Sequence, residues 1–277
     1  MIRLGHIEYS NCFPLHAELL EQGSPHVSII GGIPSVLNRA LAAGEIDVAP
    51  ASSIEYARHA GRYRVLPHFA IASHGPVHSI LFESSRPIEE LNGTRVAIPT
   101  ASATSIVLLK ILLRLKYNVT VRFEWFTQED GGDPFREGAA AALWIGDVAL
   151  RRSFTAAHLI YDLGTEWTDW TQLPFAFAIW QTTLPAERDA ELEPLIASFT
   201  RSRARFREQP IALAEQYAKS FGVAPQRLGR YWKTLRYDFD AATQEGLLHY
   251  YQLAATLGES PRVDRIAWAS QKARAQG

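Results

Sequence analysis

The sequence predicts an α/β protein of two lobes, followed by a helical C-terminal region. Strand-like and helix-like runs alternate up to about residue 72, and a second alternating series follows. Two apolar runs, residues 77–82 and 174–180, flank the second series, and we interpret them as the crossings between the lobes. We therefore expect residues 1–83 with 176–277 to form one lobe and residues 84–175 the other, with a ligand cleft between them.

The first series alternates strands with helices. Strands are predicted at residues 2–7, 27–30, 46–49 and 65–72. Helices are predicted at residues 16–21, from Pro34 to just before Gly44, and after Ser53, because Pro favours a helix start and Gly a helix end. This β-α-β-α-β order implies a mostly parallel sheet whose ligand edge lies at the carboxyl ends of its strands.

The stretch from Gly75 to Ser105 connects the two series. A strand-like run at residues 77–82 is followed by the turn pair Asn92-Gly93 and a second strand at residues 95–98. That strand ends in a cluster of small hydroxyl residues, directly before an apolar helix at residues 106–115. Because free N–H groups and the positive end of the helix dipole face the space beyond such a strand, this turn predicts an anion site.

The second series and the C-terminal third complete the pattern. Strands are predicted at residues 120–125, 139–145 and 158–162, a helix at residues 148–154 and a loop at residues 167–172. From Glu187 to about Leu257 the periodicity is typical of helices, and Pro210 and Pro225 lie where helices should begin.

Composition excludes several classes of function. The chain has 277 residues, 47% hydrophobic and 21% charged, with a formal net charge of −1, so broad attraction to nucleic acid or an acidic membrane is not expected. Cys12 is the only cysteine, which rules out an internal disulfide. No apolar run approaches the ~20 residues that span a bilayer, and no secretory signal pattern opens the sequence. We expect a cytoplasmic protein.

No pattern in the sequence indicates a cofactor. The glycine spacing does not match a dinucleotide fingerprint, and no Gly-x-x-x-x-Gly-Lys phosphate loop occurs. The nine histidines show no metal-ligand spacing such as His-Glu-x-x-His. We therefore expect a small-molecule ligand and neither a metal nor an organic cofactor.

Polar residues after the predicted strands are the candidate ligand contacts. Asn11 offers both a donor and an acceptor, although an Asx turn or helix cap before Pro14 is an alternative role. Ser52 and Ser53 could cap a helix, and Ser53 could face the cleft at the same time. Ser52-x-x-Glu55 fits a capping box, with a ligand contact as the alternative role of Glu55. Ser79 lies among apolar neighbours at a lobe junction, either as a half-buried strand hydroxyl or as a ligand contact.

The second lobe supplies further candidates. The strongest candidates in the sequence for binding a carboxylate are Ser102, Thr104 and Ser105. Helix capping needs only one of these hydroxyl groups, which leaves the others for a ligand. His6, near the end of the first strand, is the candidate titrating group in the cleft, with a structural histidine as the alternative. The aromatic residues of the return crossing fit either the core or the apolar wall of a ring site; they are Trp167, Trp170, Phe175 and Phe177.

Seven ordered motifs within about residues 1–181 carry a resemblance to a known family. They are Tyr9-x-Asn11-x-x-Pro14-Leu15; Asp47-Val-Ala-Pro50 with Ser53-Ile-Glu55-Tyr56; Gly75-Pro-Val-x-Ser79; Thr104-Ser105-x-x-x-Leu108-Leu109; Ile145-Gly146-Asp147-x-Ala149-Leu150; Asp162-Leu-Gly164-x-x-Trp167; and Leu173-Pro-Phe-x-Phe-Ala178-x-Trp180. Together they resemble the chorismate dehydratase family of the futalosine pathway to menaquinone. The resemblance implies a type II periplasmic-binding-protein-like fold, used inside the cell as an enzyme.

The resemblance also implies a reaction, loss of water from chorismate to give 3-[(1-carboxyvinyl)oxy]benzoate by a carbon–oxygen lyase. It adds Ile145, Gly146 and Asp147 to the expected substrate contacts, although Asp147 could instead cap the next helix. The base is left open between the substrate's enolpyruvyl carboxylate, a water and His6; we favour the substrate carboxylate, oriented by Asn11.

Two alternative functions are consistent with the sequence. One is a non-catalytic cytoplasmic protein that binds a small carboxylate. The other is the sister lyase of the same pathway, which acts on cyclic dehypoxanthine futalosine. In that family the slot of Gly146 carries a histidine base, so its chemistry is in doubt for this chain.

Overall fold

The structure is a computed structural model that describes residues 1–128 and 131–269. Its strands are β1 (Ile2–Ile7), β2 (Val27–Gly32), β3 (Val48–Ser52), β4 (Arg64–Ser73), β5 (Ile80–Ser84), β6 (Arg95–Pro99), β7 (Arg122–Phe126), β8 (Ala141–Ile145), β9 (Leu159–Asp162), β10 (Phe175–Thr182) and β11 (Arg236–Phe239). Its α-helices are α1 (Phe13–Gln22), α2 (Pro34–Ala43), α3 (Ser53–Arg58), α4 (Thr104–Ile111), α5 (Gly146–Arg151), α6 (Leu163–Thr171), α7 (Glu193–Glu208), α8 (Pro210–Phe221), α9 (Pro225–Thr234) and α10 (Ala241–Thr256).

The first sheet has six strands in the order β11–β4–β10–β3–β1–β2. Strand β1 runs parallel to β2 and β3, whereas β10 is antiparallel to both β3 and β4. The predicted parallel direction is therefore found for β1 to β4, but the sheet as a whole is mixed because β10 and β11 run the opposite way. The first three strands follow the predicted crossovers, but β10 and β11 arrive from distant parts of the chain and pair in the opposite direction.

The second sheet has five strands in the order β7–β6–β8–β5–β9. Strand β6 is parallel to β7 and β8, while β5 is antiparallel to β8 and β9. The chain leaves the first sheet at Ser73 and joins the second at Ile80; it returns through residues 172–174. The carboxyl ends of β1 and β3 in one sheet and of β6 and β8 in the other face the same space.

Two local predictions are wrong for identifiable reasons. The segment predicted as a loop at residues 167–172 is mostly helical, because the side chain of Asp162 caps α6 by accepting the N–H groups of Gly164 and Thr165. The C-terminal region is not wholly helical, since β11 adds an edge strand to the first sheet beside β4. Its short sequence, Arg-Tyr-Asp-Phe, alternates half-buried with buried residues, as an edge strand does.

The C-terminal helices cover the first sheet and reach the second-sheet elements. Helix α7 packs on α1, and α10 packs against β10 and α4. Their contacts with the core are rich in aromatic rings, including Phe199 stacked on His16 and Tyr250 against Phe175. Among the described residues, no helix has the length and apolar character needed to cross a membrane.

Candidate active site

A cavity of about 50 Å³ lies where the strand ends of the two sheets face each other. Residues from both sheets line it: Ile7, Tyr9, Asn11, Pro34, Ser52, Ile71, Ser79, Ile80, Ser102, Ser105, Ile145, Gly146, Phe177 and Ala178. None of these residues carries a carboxylate, an amine, a guanidinium or an imidazole. The polar part of the wall therefore consists of hydroxyl, amide and backbone groups, and we call this space the inner cavity.

Asn11 presents an unpaired acceptor to the inner cavity. It lies between β1 and α1, and its backbone carbonyl accepts a hydrogen bond of 2.9 Å from the Tyr237 hydroxyl. Its side-chain Oδ1 is buried and has no hydrogen-bond partner among the described residues. Because buried polar atoms in native proteins are nearly always paired, this oxygen is suited to a hydrogen-bond donor carried by a ligand.

The preceding residue, Ser10, ties the Asn11 loop to the second sheet. The Asp147 carboxylate accepts the Ser10 N–H at 3.0 Å and the Ser10 hydroxyl at 2.5 Å. Trp232 donates its indole N–H to the Ser10 carbonyl at 2.8 Å. Burial raises the pKa of Asp147, and its hydrogen bonds from Ser10 partly offset that effect. Asp147, expected as a substrate contact, thus contacts Ser10 and is not part of the inner cavity wall.

The predicted hydroxyl cluster divides between two roles. The Ser102 hydroxyl donates to Ser105 Oγ at 3.1 Å and accepts the Ser105 backbone N–H at 3.3 Å, and both serines line the inner cavity. Thr104 instead faces the first sheet, where its Oγ1 accepts the Ile54 N–H at 3.3 Å and lies 3.4 Å from Ser53 Oγ. Ser53 and Thr104 therefore join the two halves of the molecule behind the cavity.

Ser52 and Ser79 complete the polar wall. Ser52 ends β3 and precedes α3, but its side chain makes no capping hydrogen bond, and Glu55 pairs with Arg58 at 3.0 Å. The predicted capping box is therefore not formed, and the Ser52 hydroxyl remains available at the cavity. Ser79 Oγ accepts a hydrogen bond of 2.9 Å from the buried Tyr231 hydroxyl, which leaves the Ser79 proton free to donate.

The backbone of Gly146 packs closely against the ring of Tyr9 in the wall of the inner cavity. Its φ is +61°, and a Cβ atom at this position would lie 2.8 Å from the ring of Tyr9. Both the backbone conformation and this contact require glycine. Ile145 precedes it on the cavity wall, and the side chain of Phe177 adds an apolar face suited to a ring.

His6 packs on the other side of β1, away from the inner cavity. Its Nδ1 lies 3.0 Å from Nδ1 of the buried His16, whose Nε2 accepts the Trp180 indole N–H at 3.0 Å. Since Trp180 can only donate, His16 carries its proton on Nδ1 and donates it to His6. Burial lowers the pKa of His6 to about 4 and that of His16 well below its usual range.

Cys12 joins these two histidines in a cluster whose possible metal-ligand atoms all lie within 4.8 Å of one another. The Cys12 Sγ is 3.7 Å from His16 Nδ1, a spacing that a metal ion could use. A metal on His16 Nδ1, however, would leave the ring proton on Nε2, opposite the donating Trp180 N–H. The hydrogen bonds of the cluster therefore favour a neutral imidazole pair over a metal site.

Sequence reasoning did not single out several residues that build this site. Pro34 and Ile71 line the inner cavity, and Ile71 could have been found because it lies near the end of a predicted strand. Ser10, Tyr231 and Tyr237 act through hydrogen bonds to residues far away in the sequence, for which the local pattern carries no signal.

The sequence model of a family described as "Menaquinone biosynthesis" matches residues 2–256. The chain belongs to this menaquinone biosynthesis family. The resemblance that the seven motifs carry is thereby confirmed.

Two relatives illustrate how far the similarity to this menaquinone biosynthesis protein extends. A chorismate dehydratase of Thermus thermophilus is 31% identical over 271 residues, covering 88% of this chain and 92% of the relative. A chorismate dehydratase of Campylobacter jejuni is 28% identical over 221 residues, covering 78% of this chain and 80% of the relative. Both similarities reach well beyond the segment that contains the motifs.

Solved structures confirm the fold of this menaquinone biosynthesis protein. A protein of Archaeoglobus fulgidus superimposes with a TM-score of 0.74 at 20% identity, covering 93% of this chain and 97% of that one. The periplasmic aliphatic sulphonate-binding protein SsuA of Escherichia coli gives a TM-score of 0.68 at 16% identity, covering 97% and 93%. The α/β fold is therefore of the periplasmic-binding-protein type, as the resemblance implies.

Proposed function

We propose that this protein is a chorismate dehydratase, a carbon–oxygen lyase that converts chorismate to 3-[(1-carboxyvinyl)oxy]benzoate and water. The names of the two relatives suggest this activity. The structural observation that carries it is the composition of the inner cavity wall: several neutral donors and one unpaired buried acceptor, Asn11 Oδ1. Chorismate has the complementary groups, two carboxylates that accept hydrogen bonds and one hydroxyl that can donate.

Two discontinuous lobes are part of this proposal. Because the inner cavity lies between the two sheets, we expect the sheets to move apart when a ring acid enters it. The crossings at residues 74–79 and 172–174 are the natural hinges. The lobe boundary then falls before β5 and not at residue 83, because β5 pairs within the second sheet.

The hydroxyl groups of the second lobe fit the ring carboxylate. Ser102 and Ser105 lie at the beginning of α4, where backbone N–H groups and the helix dipole favour a negative charge. Since Ser105 Oγ already accepts from Ser102, its own proton is free for the ligand. These neutral donors bind the carboxylate without a buried cation.

The elimination itself balances without an electron acceptor. A base removes the proton from ring C3, the C3–H electron pair forms the new double bond, and the C4–O bond breaks to release the hydroxyl as water. The product is a benzene ring, so aromatisation provides the driving force. The protein's task is to orient the groups and exclude water.

The inner cavity wall supports the enolpyruvyl carboxylate of the substrate as the base. Its residues include no side-chain carboxylate, amine or imidazole, and His6 packs on the opposite face of β1. The Asn11 amide can act on both reacting groups, because its N–H₂ can donate to the substrate carboxylate while Oδ1 accepts from the C4 hydroxyl. Asn11 thereby holds the base and the C4 hydroxyl in reacting geometry, and the proton that the base takes from C3 passes to the departing C4 oxygen to complete the water molecule.

Gly146 disfavours the sister lyase reaction. A histidine base at this position would need a Cβ 2.8 Å from the Tyr9 ring and a side chain at φ +61°.

A non-catalytic binding protein remains the second candidate, because the fold is shared with solute receptors such as SsuA. As a biosynthetic enzyme, the protein is placed in the cytoplasm in our proposal.

The deciding experiment is to mix the purified protein with chorismate and follow the loss of its diene absorbance, with the product identified by mass spectrometry. We expect multiple turnovers and one equivalent of 3-[(1-carboxyvinyl)oxy]benzoate for each chorismate consumed. Tight binding of chorismate without turnover would instead show that the protein is a receptor.

A further inference from the structure

A second, larger cavity opens directly beside the first. It has a volume of about 540 Å³, and Ser102 lines both spaces. Its walls come from α2 and α3 beside the first sheet and from α4 and β7 beside the second. We call this cavity the outer groove; it borders the inner cavity at the only residue that the two linings share.

Unlike the inner cavity, the outer groove is strongly charged. Arg58 pairs with Glu55 at 3.0 Å and with Glu259 at 3.7 Å, and Lys110 pairs with Glu259 at 2.7 Å. Arg39 also lines the groove and has no carboxylate partner within 4.0 Å among the described residues. The two acidic residues thus balance Arg58 and Lys110, and Arg39 gives the groove a net positive charge.

An exposed indole lies in the same groove. Trp125 is on β7, the edge strand of the second sheet, and 66% of its surface is exposed. Of the large hydrophobic residues in the described part of the chain, Met1 alone is more exposed, at 77%. An exposed aromatic surface and an unpaired guanidinium that line one groove match a ligand that has both a ring and a negative charge.

We propose that the outer groove is an entrance site that binds a ring carboxylate before it passes Ser102 into the inner cavity. Arg39 pairs with a carboxylate of the ligand, and Trp125 packs against its ring. The identity of the ligand as chorismate rests on the proposed function, whereas its class, an anionic ring acid, follows from the groove itself. Arg39 and Trp125 are thereby binding residues that do not touch the reacting atoms.

The test compares Arg39→Gln and Trp125→Ala with the wild type in chorismate turnover at low and high salt. Because an exposed cation acts on a charged ligand through a screened field, Arg39→Gln should lower kcat/KM roughly threefold to tenfold at about 20 mM salt. The difference in kcat/KM between Arg39→Gln and the wild type should shrink at about 500 mM salt. The lower kcat/KM of the variant should result mainly from a higher KM. Trp125→Ala should lower kcat/KM by a similar factor, with little dependence on salt.

Arg136→Gln is the matched control. Its side chain is 88% exposed, lies 3.5 Å from the Asp133 carboxylate and is outside the outer groove, so Arg136→Gln removes one positive charge without changing the groove. This variant should match the wild type at both salt concentrations. If Arg39→Gln behaves like Arg136→Gln in an active enzyme, the entrance site is refuted and the dehydratase assignment stands.

A direct titration with isophthalate, a ring dicarboxylate, separates the two proposals. Arg39→Gln should weaken isophthalate binding severalfold at low salt, even in a protein that does not turn over chorismate. Absence of turnover with weaker binding would refute the dehydratase and support the groove. Equal isophthalate affinity of wild type and Arg39→Gln would refute the groove in either case.

Discussion

The inner cavity and the outer groove adjoin at Ser102 but differ in charge. Neutral groups line the inner cavity, whereas the outer groove carries a net positive charge. The inner cavity holds hydroxyl, amide and apolar groups, whereas the outer groove holds Arg39, Arg58 and Lys110 with two glutamates. The difference has a chemical reason if a substrate carboxylate is the base. A guanidinium beside a carboxylate lowers its pKa and makes it a weaker base, while neutral donors bind it with a smaller effect. Cations can therefore guide the ligand outside but would hinder the reaction inside.

The largest effect that would test this contrast is expected from Asn11→Ala. The variant removes the bridging amide but keeps the hydroxyl groups of Ser102 and Ser105, so substrate should still bind. Since positioning of reacting groups is commonly worth on the order of 10²-fold in rate, kcat should fall by about that factor. Asn92→Ala, which removes a surface asparagine that accepts the Thr120 N–H, is the control.

Measurement of kcat and KM, with a binding titration, distinguishes the outcomes for Asn11. Full kcat with weakened binding would make Asn11 a ligand clamp and contradict its assigned role in catalysis.

Ser105→Ala should have the next largest effect, on binding and not on rate. Ser105 is buried, and its free proton can donate to a carboxylate that is present before and during the reaction. Loss of a hydrogen bond to a charged group costs about 1.5–3 kcal/mol, which corresponds to a rise of roughly 10- to 150-fold in KM. Ser84→Ala is a matched control. Ser84, at the end of β5, is equally buried, but its hydroxyl donates to the backbone carbonyl of Arg86.

Activity measurements with Ser105→Ala and Ser84→Ala, at equal thermal stability, check this expectation. A fall in kcat at unchanged KM would place Ser105 among the groups that stabilise the transition state.

The smallest expected effect is that of pH on kcat. His6 has a pKa of about 4, so it is neutral above about pH 5 and its charge does not change at higher pH. With a substrate carboxylate as the base, kcat should be nearly constant from about pH 5 to about pH 8. A base of pKa about 4 at His6 would lose activity only below about pH 5, as the substrate carboxylate would, so neither base predicts a loss of activity near neutral pH.

A pH–rate profile, with circular dichroism to confirm that the fold is intact, makes the measurement. A change in kcat centred near pH 6.5 would instead show that a histidine of ordinary pKa takes part in the reaction. The absence of charged side chains from the inner cavity wall would then not explain the choice of base.

Much of the polar wall could be predicted from the sequence because strand ends meet at one edge of a sheet. Asn11, Ser52, Ser102 and Ser105 follow predicted strands, Ser79 lies within the predicted first crossing, and all five line the inner cavity. The placement of the four that follow strands needs only the alternation of elements and the rule for strand carboxyl ends.

The placement of other residues depends on the direction in which each side chain leaves its helix or strand, which a sequence motif does not specify. Thr104 is adjacent to Ser105, yet one residue on a helix turns the side chain by about 100°, and Thr104 points to Ser53 instead. His6 alternates with Ile7 on β1, so it faces α1 while Ile7 lines the cavity. Thr104 is a candidate from its motif and His6 from its place near a strand end, and neither observation indicates which way a side chain points.

The hydrogen bond from Tyr237 to Asn11 has a consequence for the order of synthesis. The two residues are 226 positions apart, so Asn11 is synthesised long before Tyr237, whose hydroxyl binds its backbone carbonyl. A nascent chain that ends before β11 lacks this bond and the Tyr231 contact to Ser79. Such long-range contacts form late in folding. The hydrogen bonds that support Asn11 and Ser79 are therefore completed only after β11 has been made, and translation products that stop before β11 should lack both of them.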